Sequence, residues 1–205
     1  INRFLLGVPA YYKFSDEGAY AFYANLIQKV PESKILLYNF EKLFGYKFSA
    51  QVIEKLVKDF PKQIIGVKDS SYNLYESLKI PNFMIFPGSE TKLLKGLELG
   101  CKGIITATTN VTATIAREVY DNFLNKSPQI SNQKLCNIRT SFEKYNLISG
   151  VHTIMSQKNP IFQNLLPPLK LLDESDKNEL IKNLKKCDFK IETLKAAWNE
   201  IGKIS

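Results

Sequence analysis

Cysteine, histidine and tryptophan are scarce in this chain of 205 residues, which holds three, one and one of them. Cys101, Cys136 and Cys187 stand far apart with no paired spacing, so neither a disulfide framework nor a zinc site is expected, and the expected metal ligands are none. They read as packing residues in a reducing, cytoplasmic setting. No apolar run approaches the roughly 20 residues of a membrane span. No basic-then-apolar leader with a small-residue cleavage site opens the chain, so neither a membrane nor a secretory route is expected. There is no low-complexity tract. An initial methionine is also absent: "INRFLLGVP" starts inside a strand-like run, as expected of part of a longer polypeptide.

What is present is enough apolar side chain, 44% hydrophobic and 12% aromatic, to bury a substantial core. The formal charge of +8 raises nucleic acid as a partner. The lysines are scattered, however, clustering only near "LIKNLKKCDFK", and no aromatic-basic stacking motif accompanies them, so nucleic acid is not expected. A basic surface that attracts small anionic substrates is the better inference.

Short apolar runs alternate with segments of helical period, the pattern of βα units around a parallel sheet and hence an α/β fold. The strand candidates are "RFLLGV", "KILLYNF", "QIIGVK", "FMIFPG" and "GIITAT". In "SAQVIEKLVKDF", Val52, Ile53, Leu56, Val57 and Phe60 form one apolar stripe with Ser49 placed as N-cap. In "SDEGAYAFYANLIQKV", Ser15 is the cap, and Asp16 and Glu17 favour the positive end of the helix dipole. Helices are also expected over 90–99 and 112–123. From about Ser131 the sequence turns wholly helical, through "NQKLCNIRTSFEKYNLI" and "VHTIMSQ". Pro167 and Pro168 then break the chain before two last helical stretches. The expected division is 1–127 for the βα region and 128–205 for a helical region.

In parallel α/β folds functional groups collect at the C-terminal ends of strands. Here "QIIGVKDSS" ends an apolar strand with Lys68, and "KILLYNF" ends in Tyr38, one βα unit earlier. Two readings of Lys68 stand side by side. It is either a strand-end charge neutralised by Asp69, or an amine kept for Schiff-base chemistry with a keto acid, with the Tyr38 phenol shuttling protons. Spacing alone leaves both open.

In order and at nearly the same spacing, "VPAYYKFSDE", "LLYNF" followed by "FG", "IIGVKDSS", "PGSE" and "GCKGIITATTN" resemble the dihydrodipicolinate synthase and N-acetylneuraminate lyase family. The resemblance implies a class I, pyruvate-dependent aldolase or lyase on a (β/α)₈ TIM barrel. This chain would hold strands four to eight and a C-terminal helical tail, and would lack the first three βα units. The Gly-Thr-Thr or Gly-Ser-Thr carboxylate cradle of the family has no counterpart in it.

By the same resemblance Lys68 matches the Schiff-base lysine and Tyr38 the proton-relaying tyrosine. Tyr11 matches a tyrosine that reaches a neighbouring site across a dimer interface, and Ile105 a residue whose backbone lies beside the pyruvyl unit. No separate cofactor is implied. The implied partners are a small keto acid and an aldehyde, with assembly as a homo-oligomer, dimer or tetramer. Leu43 stands where the synthases carry a carboxylate-gripping arginine. Glu90 stands where the sialic acid lyases hold sugar hydroxyls, whereas Thr91, Ala107 and Glu41 depart from the patterns of their relatives. The implied substrate is a 2-keto-3-deoxy sugar acid or a sialic-acid-like compound. The alternatives are 4-hydroxy-tetrahydrodipicolinate synthase activity and keto-acid binding without catalysis. His152 is expected at a helix start and Trp198 in packing or assembly, both outside the site.

Overall fold

A computed structural model describes residues 1–191 of the chain. Its backbone divides into one compact unit over Ile1–Ile105 and a second that begins at Thr106.

In the first unit the apolar, branched runs form four parallel strands: β1 (Arg3–Leu6), β2 (Lys34–Asn39), β3 (Ile64–Asp69) and β4 (Met84–Pro87). They pair in sequence order β1-β2-β3-β4. Between them run α1 (Asp16–Lys29) and α3 (Ala50–Asp59), with the single turn α2 (Glu41–Phe44) before α3, and α4 (Leu93–Glu98) follows β4. Both long helices start where their caps place them. The Ser15 hydroxyl accepts from Gly18 N at 3.2 Å and the Ser49 hydroxyl from Val52 N at 3.1 Å.

Strand alternation gives the sheet two unlike faces. Ile35, Leu37, Val67 and Ile85 are buried in one core with Tyr23 and Ile27 of α1 and Val52, Ile53 and Leu56 of α3. On the other face Leu36, Tyr38, Lys68, Met84 and Phe86 are only half-buried. At the sheet's edge Phe4 and Leu5 of β1 are each 41% exposed.

The pairing of β2 with β3 is irregular. Ile35 lies opposite Ile64, but Leu36 lies opposite Gly66, so Ile65 is an extra residue in β3. From there the register continues as Leu37 with Val67, Tyr38 with Lys68 and Asn39 with Asp69. Gly66 is needed directly after the extra residue, because a Cβ there would run into the Met84 carbonyl oxygen and come within 2.7 Å of Leu36 Cδ2. Gly66→Ala is therefore expected to destabilise the protein by about 1–3 kcal/mol, the usual cost of overpacking, read from its urea midpoint.

The fifth expected strand, "GIITAT", does not form. Residues 101–106 carry no regular secondary structure and follow β4 through two bonds, Lys102 N to Ile85 O at 3.0 Å and Ile105 N to Pro87 O at 3.2 Å. Three residues on one side span two on the other, and Gly103 takes up the surplus at φ 137°. A ladder of period two cannot continue across that step.

Phenols in this core set an alkaline limit. Tyr23 is wholly buried and donates to Leu6 O at 2.8 Å, and Tyr46 donates to Asp16 Oδ1 at 2.7 Å. Burial is the main cause that raises both above the ordinary phenol value, and it pushes Tyr75 up to about 12. Folding thus favours the neutral phenols. Their contribution is fully present below about pH 10 and is lost as the pH rises through the folded values. Urea midpoints should hold level up to that point and fall above it.

The second unit contains α5 (Thr109–Leu124), α6 (Asn132–Phe142), α7 (Leu147–Ser156) and α8 (Glu174–Lys186). Val111, Ile138, Phe142, Val151, Ile154, Leu180 and Leu184 form its core. The sequence places a boundary at 127/128, just beyond α5. The units part at 105/106 instead, and Val111 gives α5 its place in the helical core. The segment "NQKLCNIRTSFEKYNLI" is two helices, since the Asn146 side chain accepts from Ile148 N and Ser149 N at 3.0 and 3.2 Å and caps a new one. His152 is therefore inside α7 rather than at a helix start, with Nδ1 2.9 Å from Phe162 O. Trp198 and the last helical stretch lie outside the described residues.

Candidate active site

The C-terminal ends of β2 and β3 bring Tyr38 and Lys68 together. They are register partners on adjacent parallel strands and face the half-open side of the sheet. Lys68 Nζ donates to the Tyr38 hydroxyl at 2.8 Å and also lies 4.1 Å from the ring centroid. The ring is held in turn by Phe40, stacked at 5.9 Å between centroids, and by Phe44, edge-on at 5.3 Å. Phe44 itself fills the space over Gly7, where a Cβ would lie 2.6 Å from the ring carbons Cε1 and Cε2. Spacing and periodicity do not single out these two supports. Their only signal was the recurrence of aromatics just after a strand-ending tyrosine.

Asp69 is not the counter-ion of Lys68. Alternation turns it to the helix-covered side, where it is wholly buried. Its Oδ1 accepts from Tyr72 N and Asn39 Nδ2 at 2.9 and 2.8 Å, and its Oδ2 from Leu74 N and Tyr75 N at 2.9 and 3.0 Å. Its bonding capacity serves the loop after β3. Of the two readings of Lys68, the neutralised strand-end charge has no geometric support.

The other expected site residues stand on other elements of this unit. Tyr11 is 95% exposed at φ 88°, its ring edge-on to Tyr12 at 5.3 Å. Leu43 is exposed on α2. Glu90 is wholly buried at the start of the 3₁₀ turn Glu90–Lys92, closed off from solvent. Ile105 runs beside the end of β4 through its bond to Pro87 O. Among the described residues no three His, Cys, Asp or Glu side chains are grouped to hold a metal ion, and no helix is long and apolar enough to cross a membrane.

A lysine and a tyrosine meeting at the carboxyl ends of adjacent parallel strands mark an α/β protein with its polar pair at the position where such folds carry their chemistry. The chain belongs to the dihydrodipicolinate synthetase family, whose profile it matches over residues 3–187. It is 37% identical over 111 residues to a 4-hydroxy-tetrahydrodipicolinate synthase from Hydrogenobaculum sp., covering 52% of this chain and 38% of that protein. It is 27% identical over 176 residues to a 2-dehydro-3-deoxy-D-gluconate/2-dehydro-3-deoxy-phosphogluconate aldolase from Picrophilus torridus, covering 82% of this chain and 65% of that one. Its fold matches that of dihydrodipicolinate synthase from Cyanidioschyzon merolae with a TM-score of 0.83 at 17% identity, covering 93% of this chain and 66% of that one. The chain thus spans between 38% and 66% of the length of these three proteins.

Proposed function

We propose that the protein is a class I, pyruvate-dependent aldolase or lyase in which Lys68 forms a Schiff base with a 2-keto acid. The observation that carries this reading is the 2.8 Å contact between the Lys68 amine and the Tyr38 hydroxyl, on strand ends whose neighbouring carboxylate is turned away. As the free base, the amine attacks the keto carbon, and a proton reaches the carbonyl oxygen through the phenol. Loss of water from the carbinolamine leaves the iminium. The bond between the third and fourth carbons of the substrate then breaks as the hydroxyl on the fourth gives up its proton. An aldehyde departs, and its electron pair remains in the enamine. Protonation of that carbon and hydrolysis release pyruvate and restore the amine. Condensation runs the same steps backwards.

The half-open sheet face bearing Leu36, Tyr38, Lys68, Met84 and Phe86 is, on this reading, the inner wall of an eight-stranded barrel. Its other strands would supply the carboxylate cradle. Tyr11, standing in solvent, suits contact with a second subunit of a homo-oligomer. The substrate we favour is a 2-keto-3-deoxy sugar acid or a sialic-acid-like acid. The support is Leu43, which offers no grip for a second carboxylate, together with the named aldolase similar over 82% of the chain. A second reading, 4-hydroxy-tetrahydrodipicolinate synthase, draws on relatives of that name at 33–37% identity. Turnover of pyruvate with aspartate semialdehyde, set against cleavage of keto-deoxy sugar acids, separates the two.

The aldolase reading itself is tested by incubating the full-length protein with pyruvate and borohydride and mapping the product by mass. A reduced pyruvyl adduct on Lys68 is expected, and its absence overturns the reading in favour of a binding protein.

A further inference from the structure

On the aldolase reading, one further role follows from the side of the sheet that substrate never meets. We infer that Asn39 and Asp69 are positioning residues, and that their buried bond holds β2 and β3 in the one register that puts the Tyr38 hydroxyl on the Lys68 amine. The register needs holding. Ile35 pairs with Ile64, and without the extra residue Ile65 the ladder would continue by placing Tyr38 opposite Val67 and Asn39 opposite Lys68. A shift of one residue on a strand reverses the face of every later side chain. The phenol and the amine would then lie on opposite sides of the sheet.

Immediately beside the pair, and one residue further along both strands, Asn39 donates from Nδ2 to Asp69 Oδ1 at 2.8 Å. Both residues are wholly buried. Asn39 is held from outside the sheet as well. It donates to Asn73 Oδ1 at 2.8 Å and accepts from Phe48 N at 3.1 Å, while Asn73 Nδ2 donates to Phe48 O at 3.0 Å. Asp69 accepts three main-chain N–H bonds from the loop after its own strand. Every polar group of this hub is used in the bulged register. A slip by one residue would set Asn39 opposite Lys68, take the carboxylate acceptor away from the Asn39 Nδ2, turn the Lys68 ammonium to the helix-covered side, and strand a buried carboxylate. The hub therefore selects the register energetically, from the far side of the sheet.

The test is a double-mutant cycle on the full-length protein, read as the rate at which the borohydride-trapped pyruvate adduct forms on Lys68. The wild type is trapped first. If it gives no adduct, the aldolase reading fails and this inference with it. If it does, Asn39→Ala is expected to slow adduct formation by roughly 10- to 100-fold, the scale of a small misplacement at a reacting centre. The same change in a Tyr38→Phe background should cost less than about threefold, because the hydroxyl it aligns is already gone. A purely structural role would lower the rate equally in both backgrounds, and that result overturns the inference while leaving the aldolase reading intact. Should Asn39→Ala fail to fold, Asn73→Ala carries the same cycle, since Asn73 is exposed and its loss frees only one side of Asn39. It should slow the wild-type background by a smaller factor than Asn39→Ala and the Tyr38→Phe background hardly at all. Equal slowing in both again overturns the inference.

Discussion

Lys68→Arg should yield no pyruvate adduct after borohydride reduction, while its urea midpoint stays close to that of the parent. Arginine keeps the positive charge and can still donate to the Tyr38 hydroxyl, so the half-open sheet face retains both its charge and its hydrogen bond. What it loses is the ability to present a neutral nitrogen to a carbonyl carbon, because a guanidinium does not deprotonate in proteins. Cleavage of any 2-keto acid should fall to background. An adduct that persists in the variant would place the nucleophile on another lysine and remove Lys68 from the mechanism.

Tyr38→Phe should leave the fold in place and slow the chemical step by about 10²- to 10⁴-fold, the usual contribution of a positioned acid–base group. The aromatic contacts to Phe40 and Phe44 survive the change, and with them the packing at the end of β2. Only the hydroxyl 2.8 Å from the amine is removed. Single-turnover trapping separates the outcomes. A lower rate of adduct formation at saturating pyruvate assigns the phenol to proton transfer. A rate within a few-fold of the parent reduces Tyr38 to a packing residue under a lysine that works without it.

Much of this was legible in the sequence because it is local. Ser15 and Ser49 cap α1 and α3 through bonds that span three residues, so neighbouring side chains alone determine where those helices begin. Apolar runs with branched residues sufficed to place β1 to β4, and their alternation with helices implied parallel pairing. The lysine at one strand end and the tyrosine at the preceding one were visible as an unusual pair. "GIITAT" has the composition of a strand yet forms none, since a strand is made by the ladder it joins, and Gly103 breaks step with β4.

What only the tertiary structure decided is the face on which each strand-end residue lies. Lys68 and Asp69 are adjacent in the chain, so either could have pointed to the half-open side. One extra residue at Ile65 sends Lys68 to Tyr38 and Asp69 to Asn39. No local signal carries that choice, because register is set between strands about thirty residues apart. A strand's side chains alternate with period two, so the insertion of one residue exchanges every group beyond it between the core and the half-open face.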